Sequence, residues 1–273
     1  MKLLLCMPGK ATNQRPFWES AFVNTGLDEH TSMAFQANGK WNNQYPEDLI
    51  SSLGLDKIAE EQHYHSRVRL DNGYIPKPYT HTFLDYEPRK RDLSGSESDY
   101  MWSKLEYGFN ETDEIFLHKM RRAVQKATGG LPYGMYRTPI FPKTAINNEE
   151  HSINIESPEK IVSEMDWVWM HCYPQDNIIN GDIIGYWEQL TTTHAALKKS
   201  GKKVIPWIWP SYDLNTTDAV KYGAAVSSML SYIPGIDTIG IWADMNQTGA
   251  SMKQNQNMAA IAPYLKRIID SRA

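Results

Sequence analysis

The stretch "HTFLDYEPRK", residues 81 to 90, closes an apolar run with two carboxylates, Asp85 and Glu87, separated by one tyrosine. Side chains alternate along a strand, so Phe83, Asp85 and Glu87 share one face while Leu84 and Tyr86 share the other. Carboxyl groups held close together and partly desolvated repel each other, and the pKa of one rises. A carboxyl that keeps its proton near neutral pH is what a general acid requires. The alternative for the same residues is a loop start with solvated acids, balanced by Arg89, Lys90 and Arg91.

Other strand-like stretches also end in groups able to do chemistry. In "WVWMHCYP" (167–174) the alternation places Trp167, Trp169, His171 and Tyr173 on one face, and in "TIGIWAD" (238–244) it places Gly240, Trp242 and Asp244 together. "KVIPWIWP" (203–210) finishes at Trp209 and a proline. Nine tryptophans and fifteen tyrosines outnumber seven phenylalanines, and aromatics with a polar edge suit ligands that are half wet, as sugars are. Trp169, Trp209, Trp242 and Asp244 are therefore candidate substrate-binding residues, around the acid pair Asp85 and Glu87, with an oligo- or polysaccharide as the implied partner.

The elements that must position these groups recur along the chain. Strands are predicted at 2–8, 31–37, 80–87, 133–141, 167–174, 203–210 and 238–244. Amphipathic helices are predicted at 111–130, 157–165, 186–201, 216–233 and 257–271, the last with a kink at Pro263, and a further helix at 46–62. Strand alternating with helix implies a parallel sheet with helical crossovers. Polar and aromatic residues at the carboxyl ends of the strands, with no Gly-rich phosphate loop, favour a TIM-like (β/α) barrel over an open doubly wound sheet. The barrel is expected to be distorted, with about seven strands, and to form one domain over residues 1–273. No internal repeat or low-complexity linker divides it.

Bulk properties narrow the function. With 273 residues, 41% hydrophobic and 22% charged, the composition is that of a globular protein with a sizeable core. A formal net charge of −4 and a pI near 6.1 give no basic field for nucleic acid. No apolar run approaches the roughly 18–20 residues of a membrane span. Cys6 and Cys172 have no metal-ligand spacing, and whether they pair is left open by sequence. The opening "MKLLLCMPGK" reads as a first strand, its apolar run being shorter than the ~7–15 residues of a secretory core. The compartment is undetermined, and is extracellular if an export signal has been removed. The sequons at Asn110, Asn215 and Asn246 carry little weight in an Asn-rich chain.

Taken in order, the strand ends resemble those of the hyaluronidases of bee venom and animal sperm, and more distantly the chitinase-type glycoside hydrolases. That family shows Asp-aromatic-Glu, Gly-aromatic-Tyr, Tyr-Pro, an aromatic and proline-rich strand, and a final Gly-x-x-x-Trp strand. The run here is "FLDYEP", "GMYRTPIFP", "WVWMHCYPQ", "VIPWIWPSY" and "GIWAD", and "LLLCMPG" and "FQANGKWNNQYP" fit the earlier strands loosely. The resemblance implies a distorted seven-stranded barrel and a glycosidase needing no metal or cofactor. It makes Glu87 the acid/base, Asp85 and Tyr136 the residues that hold the substrate's acetamido group, and Trp242 the floor of a sugar subsite, with Tyr173 a further binding residue. The acetamido carbonyl would then replace an enzyme nucleophile, an exception to the two-carboxylate scheme. Two features depart from the family: "PRKRD" stands where it has Trp-Arg-Pro, and its disulfides have no counterparts.

Rival readings follow from the same residues. A metal-dependent hydrolase could draw on His63, His65, His81, His171 and Asp244, although His63 and His65 precede the apolar run they would need to terminate. A glycosidase acting on acetamido-free glycans could pair Glu87 with Asp244 or Asp213. A barrel that binds carbohydrate without cleaving it is a third class. No G-x-S-x-G elbow supports a serine hydrolase.

Overall fold

A computed structural model describes residues 1–6, 27–38, 46–72, 78–85, 89–91, 97–99, 111–136, 162–173, 180–210, 214–242 and 248–272. The strands are β1 (Lys2–Cys6), β2 (Thr31–Asn38), β3 (Tyr79–Asp85), β4 (Arg89–Arg91), β5 (Glu97–Asp99), β6 (Tyr133–Met135), β7 (Trp167–His171), β8 (Lys203–Ile208) and β9 (Thr238–Trp242). The helices are α1 (Pro46–Leu53), α2 (Leu55–Asn72), α3 (Glu111–Thr128), α4 (Ile183–Lys198), α5 (Thr216–Tyr232) and α6 (Thr248–Asp270).

Seven strands form one sheet in the order β6, β3, β2, β1, β9, β8, β7, and every pairing in it is parallel. This is chain order wrapped into a ring, with the β4–β5 hairpin left out. The sheet's two end strands meet at a seam stitched by Asp166. Its backbone N–H donates to the Tyr133 carbonyl at 2.8 Å, and its carboxylate accepts from the Tyr133 N–H at 2.8 Å. From α3, Arg121 lies 3.6 Å from that carboxylate and 3.0 Å from Glu164, bracing the seam from outside. The molecule is a TIM-like (β/α) barrel, and its seven strands are those the sequence pattern predicts.

Alternation along these strands divides the apolar residues into two layers. Leu3, Leu5, Phe35, Leu84, Val168 and Ile241 face outward into the helices, whereas Leu4, Cys6, Ala34, Phe83, Trp169 and Trp207 fill the barrel interior. Large indoles fit there because inward positions on neighbouring strands are glycine. A Cβ at Gly134 would come 2.4 Å from the Trp167 ring, and one at Gly240 would come 2.1 Å from the Trp207 ring. Trp169 and Trp207 lie flat on each other, 4.1 Å between centroids and 2° between planes. The barrel is thus packed solid below its mouth.

Helix boundaries differ from the sequence pattern where local capping decides them. The helix predicted over 46–62 is two, divided at Gly54 with φ 76°, and the second runs on to Asn72. α4 begins at Ile183, earlier than predicted, because the Asp182 side chain caps it by accepting from the Gly185 N–H at 3.0 Å. α6 begins at Thr248 rather than at Asn257, its first turns being too polar to show a period, and it carries Pro263 inside it. The helix predicted at 157–165 falls mostly outside the described residues.

Candidate active site

Asp85 is the last residue of β3 and points into the barrel mouth, 9% exposed. Beside it the Tyr136 N–H donates to the Leu84 carbonyl at 2.9 Å, which brings Tyr136 to the same level of the rim. On the other side the Gln36 amide, from the inward face of β2, donates to Asp85 Oδ2. Asp85 also acts electrostatically on its neighbours. Burial first, and then the Asp85 charge, push the Cys6 thiol well above its ordinary pKa. The Tyr173 hydroxyl is raised in the same way by burial, then by Tyr136 and Asp85. Arg69, reaching in from α2, has its pKa lowered by burial despite the opposing pull of Cys6 and Asp85.

Above the packed interior, aromatic side chains form a closed circuit. Tyr136 lies 6.0 Å from His171, His171 3.9 Å from Tyr173, and Tyr173 5.2 Å from Trp209. Trp209 lies 6.5 Å from Trp242, and Trp242 stacks back on Tyr136 at 6.0 Å. Four strand ends contribute to this ring: β6, β7, β8 and β9. Trp169 sits one layer below, 1% exposed, touching Tyr136 at 5.0 Å and Trp242 at 6.2 Å. It lies beneath the two rings above it. The Tyr173 hydroxyl and the Gln36 carbonyl oxygen are buried without a hydrogen-bond partner among the described residues.

Three helices hold the rim from behind. The Tyr222 hydroxyl of α5, fully buried, donates to the Cys172 carbonyl and accepts from the Trp209 backbone N–H. It therefore bridges the two chain segments that carry Tyr173 and Trp209. Asn257 of α6 donates to the carbonyls of Pro210 and Leu214 at 3.1 and 3.0 Å, fixing both flanks of residues 211–213. Tyr186 of α4 reaches the Tyr173 carbonyl at 3.5 Å.

The structure thus brings Asp85, Tyr136, Tyr173, Trp209 and Trp242 together at one end of the barrel. Glu87, Asp244 and Asp213 lie outside the described residues. Sequence reasoning left Gln36 out of the site, though its inward register with Ala34 on β2 was a usable signal: a polar side chain where the barrel interior is apolar. It also named His171 without placing it in the substrate-binding set, and the ring lies on the rim.

The histidines of the rival metal reading are dispersed. His63 and His65 are on α2 in the outer layer, and His81 lies lower on β3 against Trp167. Among the described residues no three of His, Cys, Asp and Glu converge on a point that could hold a metal ion. Cys6 and Cys172 are both buried free thiols. In the β4–β5 hairpin the register sets Arg89 opposite Asp99 and Arg91 opposite Glu97. A groove of about 780 Å³ between α2 and α3, lined by His63, Ile115, His118 and Arg122 among others, holds none of the strand-end residues. Among the described residues no helix is long and apolar enough to cross a membrane.

No family model matches the chain, and no curated protein matches it in sequence. Among solved structures it is similar to a GH113 β-1,4-mannanase complex, with a TM-score of 0.44, 12% identity, and 97% of this chain and 98% of that one covered. It is also similar to the glycoside hydrolase domain of PgaB (BpsB) from Bordetella bronchiseptica, with a TM-score of 0.41, 9% identity, and 89% and 78% covered.

Proposed function

We propose that this chain is a glycoside hydrolase, a single barrel across residues 1–273, cleaving glycans that contain N-acetylhexosamine. The observation that carries the reading is the closed aromatic circuit of Tyr136, His171, Tyr173, Trp209 and Trp242 beside a buried carboxylate, Asp85. Flat apolar faces with polar edges, set around an acid, are what a pyranose ring needs for stacking and for chemistry in one place.

In the proposed reaction Glu87 donates its proton to the glycosidic oxygen as the bond to the anomeric carbon breaks. The substrate's acetamido carbonyl oxygen attacks that carbon and forms a cyclic, positively charged intermediate. Asp85, at the end of β3, stabilises the charge as a carboxylate and accepts the acetamido N–H, while the Tyr136 hydroxyl donates to the acetamido oxygen. Water then opens the ring, giving its proton back to Glu87. Trp242 and Trp209 carry the sugar by stacking, Tyr173 and Asp244 hydrogen-bond it, and Trp169 supports the platform from below. No metal or cofactor enters the scheme.

The test is product release from hyaluronan, chondroitin, chitin oligosaccharides and acetamido-free glucans, comparing wild type with Glu87→Gln. Cleavage confined to acetamido sugars, abolished by Glu87→Gln with binding retained, is the expected result. Cleavage of acetamido-free glucans would move the search to Asp244 or Asp213 as a second carboxylate. Binding without cleavage by wild type would make the chain a lectin.

A further inference from the structure

Gln36 holds a position that the proposed chemistry has not used. Its side chain is 5% exposed, on the inward face of β2, and its amide donates to Asp85 Oδ2. An ionised carboxylate only accepts, so this bond fixes which end of the amide faces Asp85. The carbonyl oxygen Oε1 is turned away, buried and without a hydrogen-bond partner among the described residues. A buried acceptor left without a donor is costly, and its presence beside Asp85 points to a donor that arrives with the ligand.

The geometry points to Gln36 as a positioning residue for Asp85 and a contact for the substrate. Its N–H holds Asp85 in one rotamer with one oxygen committed, and its Oε1 accepts a hydroxyl or N–H from the sugar bound beside Asp85. The second half rests on the glycosidase reading, whereas the first does not.

The experiment uses the full chain with ¹³C-labelled aspartate carboxyls, the Asp85 resonance being assigned by its loss in Asp85→Asn. The groups coupled to Asp85 among the described residues are Cys6 on β1, Arg69 on α2 and Tyr173 beyond β7; Tyr136 and His171 lie on the same rim, and Glu87 follows two residues on in sequence. None of these is changed in Gln36→Met or Gln36→Glu. Removing the donor in Gln36→Met raises the pH at which the Asp85 carboxyl titrates. In Gln36→Glu, which keeps the shape, two carboxyls share the site and the titration splits into two coupled steps. An Asp85 titration identical in wild type and both variants overturns the positioning role.

For the contact, chitin-oligosaccharide binding is measured in the Glu87→Gln background. Adding Gln36→Met weakens it about tenfold, the loss of one well-made polar contact. Unchanged affinity overturns the contact. If wild type binds and cleaves none of the glycans tested, the glycosidase reading fails and the contact with it, while the Asp85 titration still decides the positioning role.

Discussion

The indole of Trp207 occupies the space into which any side chain at Gly240 would grow, a Cβ there falling 2.1 Å from the ring. The two residues are register partners on β8 and β9. Gly240→Ala must therefore displace a ring that is also stacked on Trp169 at 4.1 Å. Overpacking of this kind costs about 1–3 kcal/mol, at times more. Urea unfolding should show that loss, and the double variant Gly240→Ala/Trp207→Leu should be less destabilised than the sum of its single changes. Strict additivity would mean that the ring is not what excludes a side chain at Gly240.

A second expectation concerns the chain's carboxyl end. The Arg272 guanidinium donates to the carbonyls of Leu230, Ser231, Ile233 and Ile236 at 2.6 to 2.8 Å. α5 ends at Tyr232, so Leu230 and Ser231 lie in its open last turn and Ile233 and Ile236 beyond it, and the Leu230 carbonyl also accepts from the Ile233 N–H at 3.4 Å. Arg272→Met should cost about 2–3 kcal/mol in urea unfolding, as loss of hydrogen bonds to a charged group does. Arg272→Lys should recover only part of it, because an ammonium cannot span four acceptors as a planar fork does. Full recovery by lysine would reduce the interaction to simple charge.

Much of this fold was legible in the sequence because period and position coincide in a barrel. Each strand ends in residues unlike its middle, so "FLDYE", "WMHCY", "WIWP" and "GIWAD" announced the strands of the sheet. Alternation also sorted inward from outward faces, and Asp85, Tyr173 and Trp242 were placed by it. Depth was not legible. Trp169 and Tyr173 share a face two turns of the pleat apart, and only the packing on Trp207 shows that Trp169 lies beneath the rim. Gln36 and Tyr222 were missed because their roles depend on which groups stand opposite, across 49 and 50 residues of sequence.

Acidification should weaken the fold through His81. Burial, and then Lys203 and Lys2 against the opposing pull of Asp237, lower its pKa below the ordinary imidazole value. The folded state therefore binds fewer protons here than the unfolded chain, and stability rises with pH. This contribution is full above the unfolded value of about 6.5 and is lost as pH falls toward the folded one. His81→Gln should flatten the slope of stability against pH below about 6.5. An unchanged slope would show that His81 is not the group being protonated.

Rim aromatics should set affinity more than turnover. Trp242 stacks on Tyr136 at 6.0 Å and closes the circuit with Trp209. Trp242→Ala removes a large rigid contact face, expected to cost about 2 kcal/mol, roughly thirtyfold in Kd for a chitin oligosaccharide. Measured in the Glu87→Gln background, this isolates binding from chemistry. An unchanged Kd would place the sugar elsewhere than on the circuit.

Tyr222 should govern the shape of that circuit without touching a ligand. In a parallel pair the ladder runs by alternating donors and acceptors, and the Cys172 N–H still donates to the Trp207 carbonyl at 2.9 Å. One step nearer the mouth, the Tyr222 hydroxyl joins the two segments, donating to the Cys172 carbonyl and accepting from the Trp209 N–H. The hydroxyl thus sets how the two strand ends sit against each other, and Tyr173 and Trp209 project from those ends 5.2 Å from each other. Tyr222→Phe keeps the ring packed in α5 but deletes both bonds, leaving a carbonyl and an N–H to pair directly or remain unsatisfied, at about 1–3 kcal/mol. If the strand ends close, the Tyr173–Trp209 pair shifts and KM for a chitin oligosaccharide rises with kcat largely kept, accompanied by a change in tryptophan emission in the free protein. A loss of stability with KM and emission unchanged would make the hydroxyl a support for the fold alone.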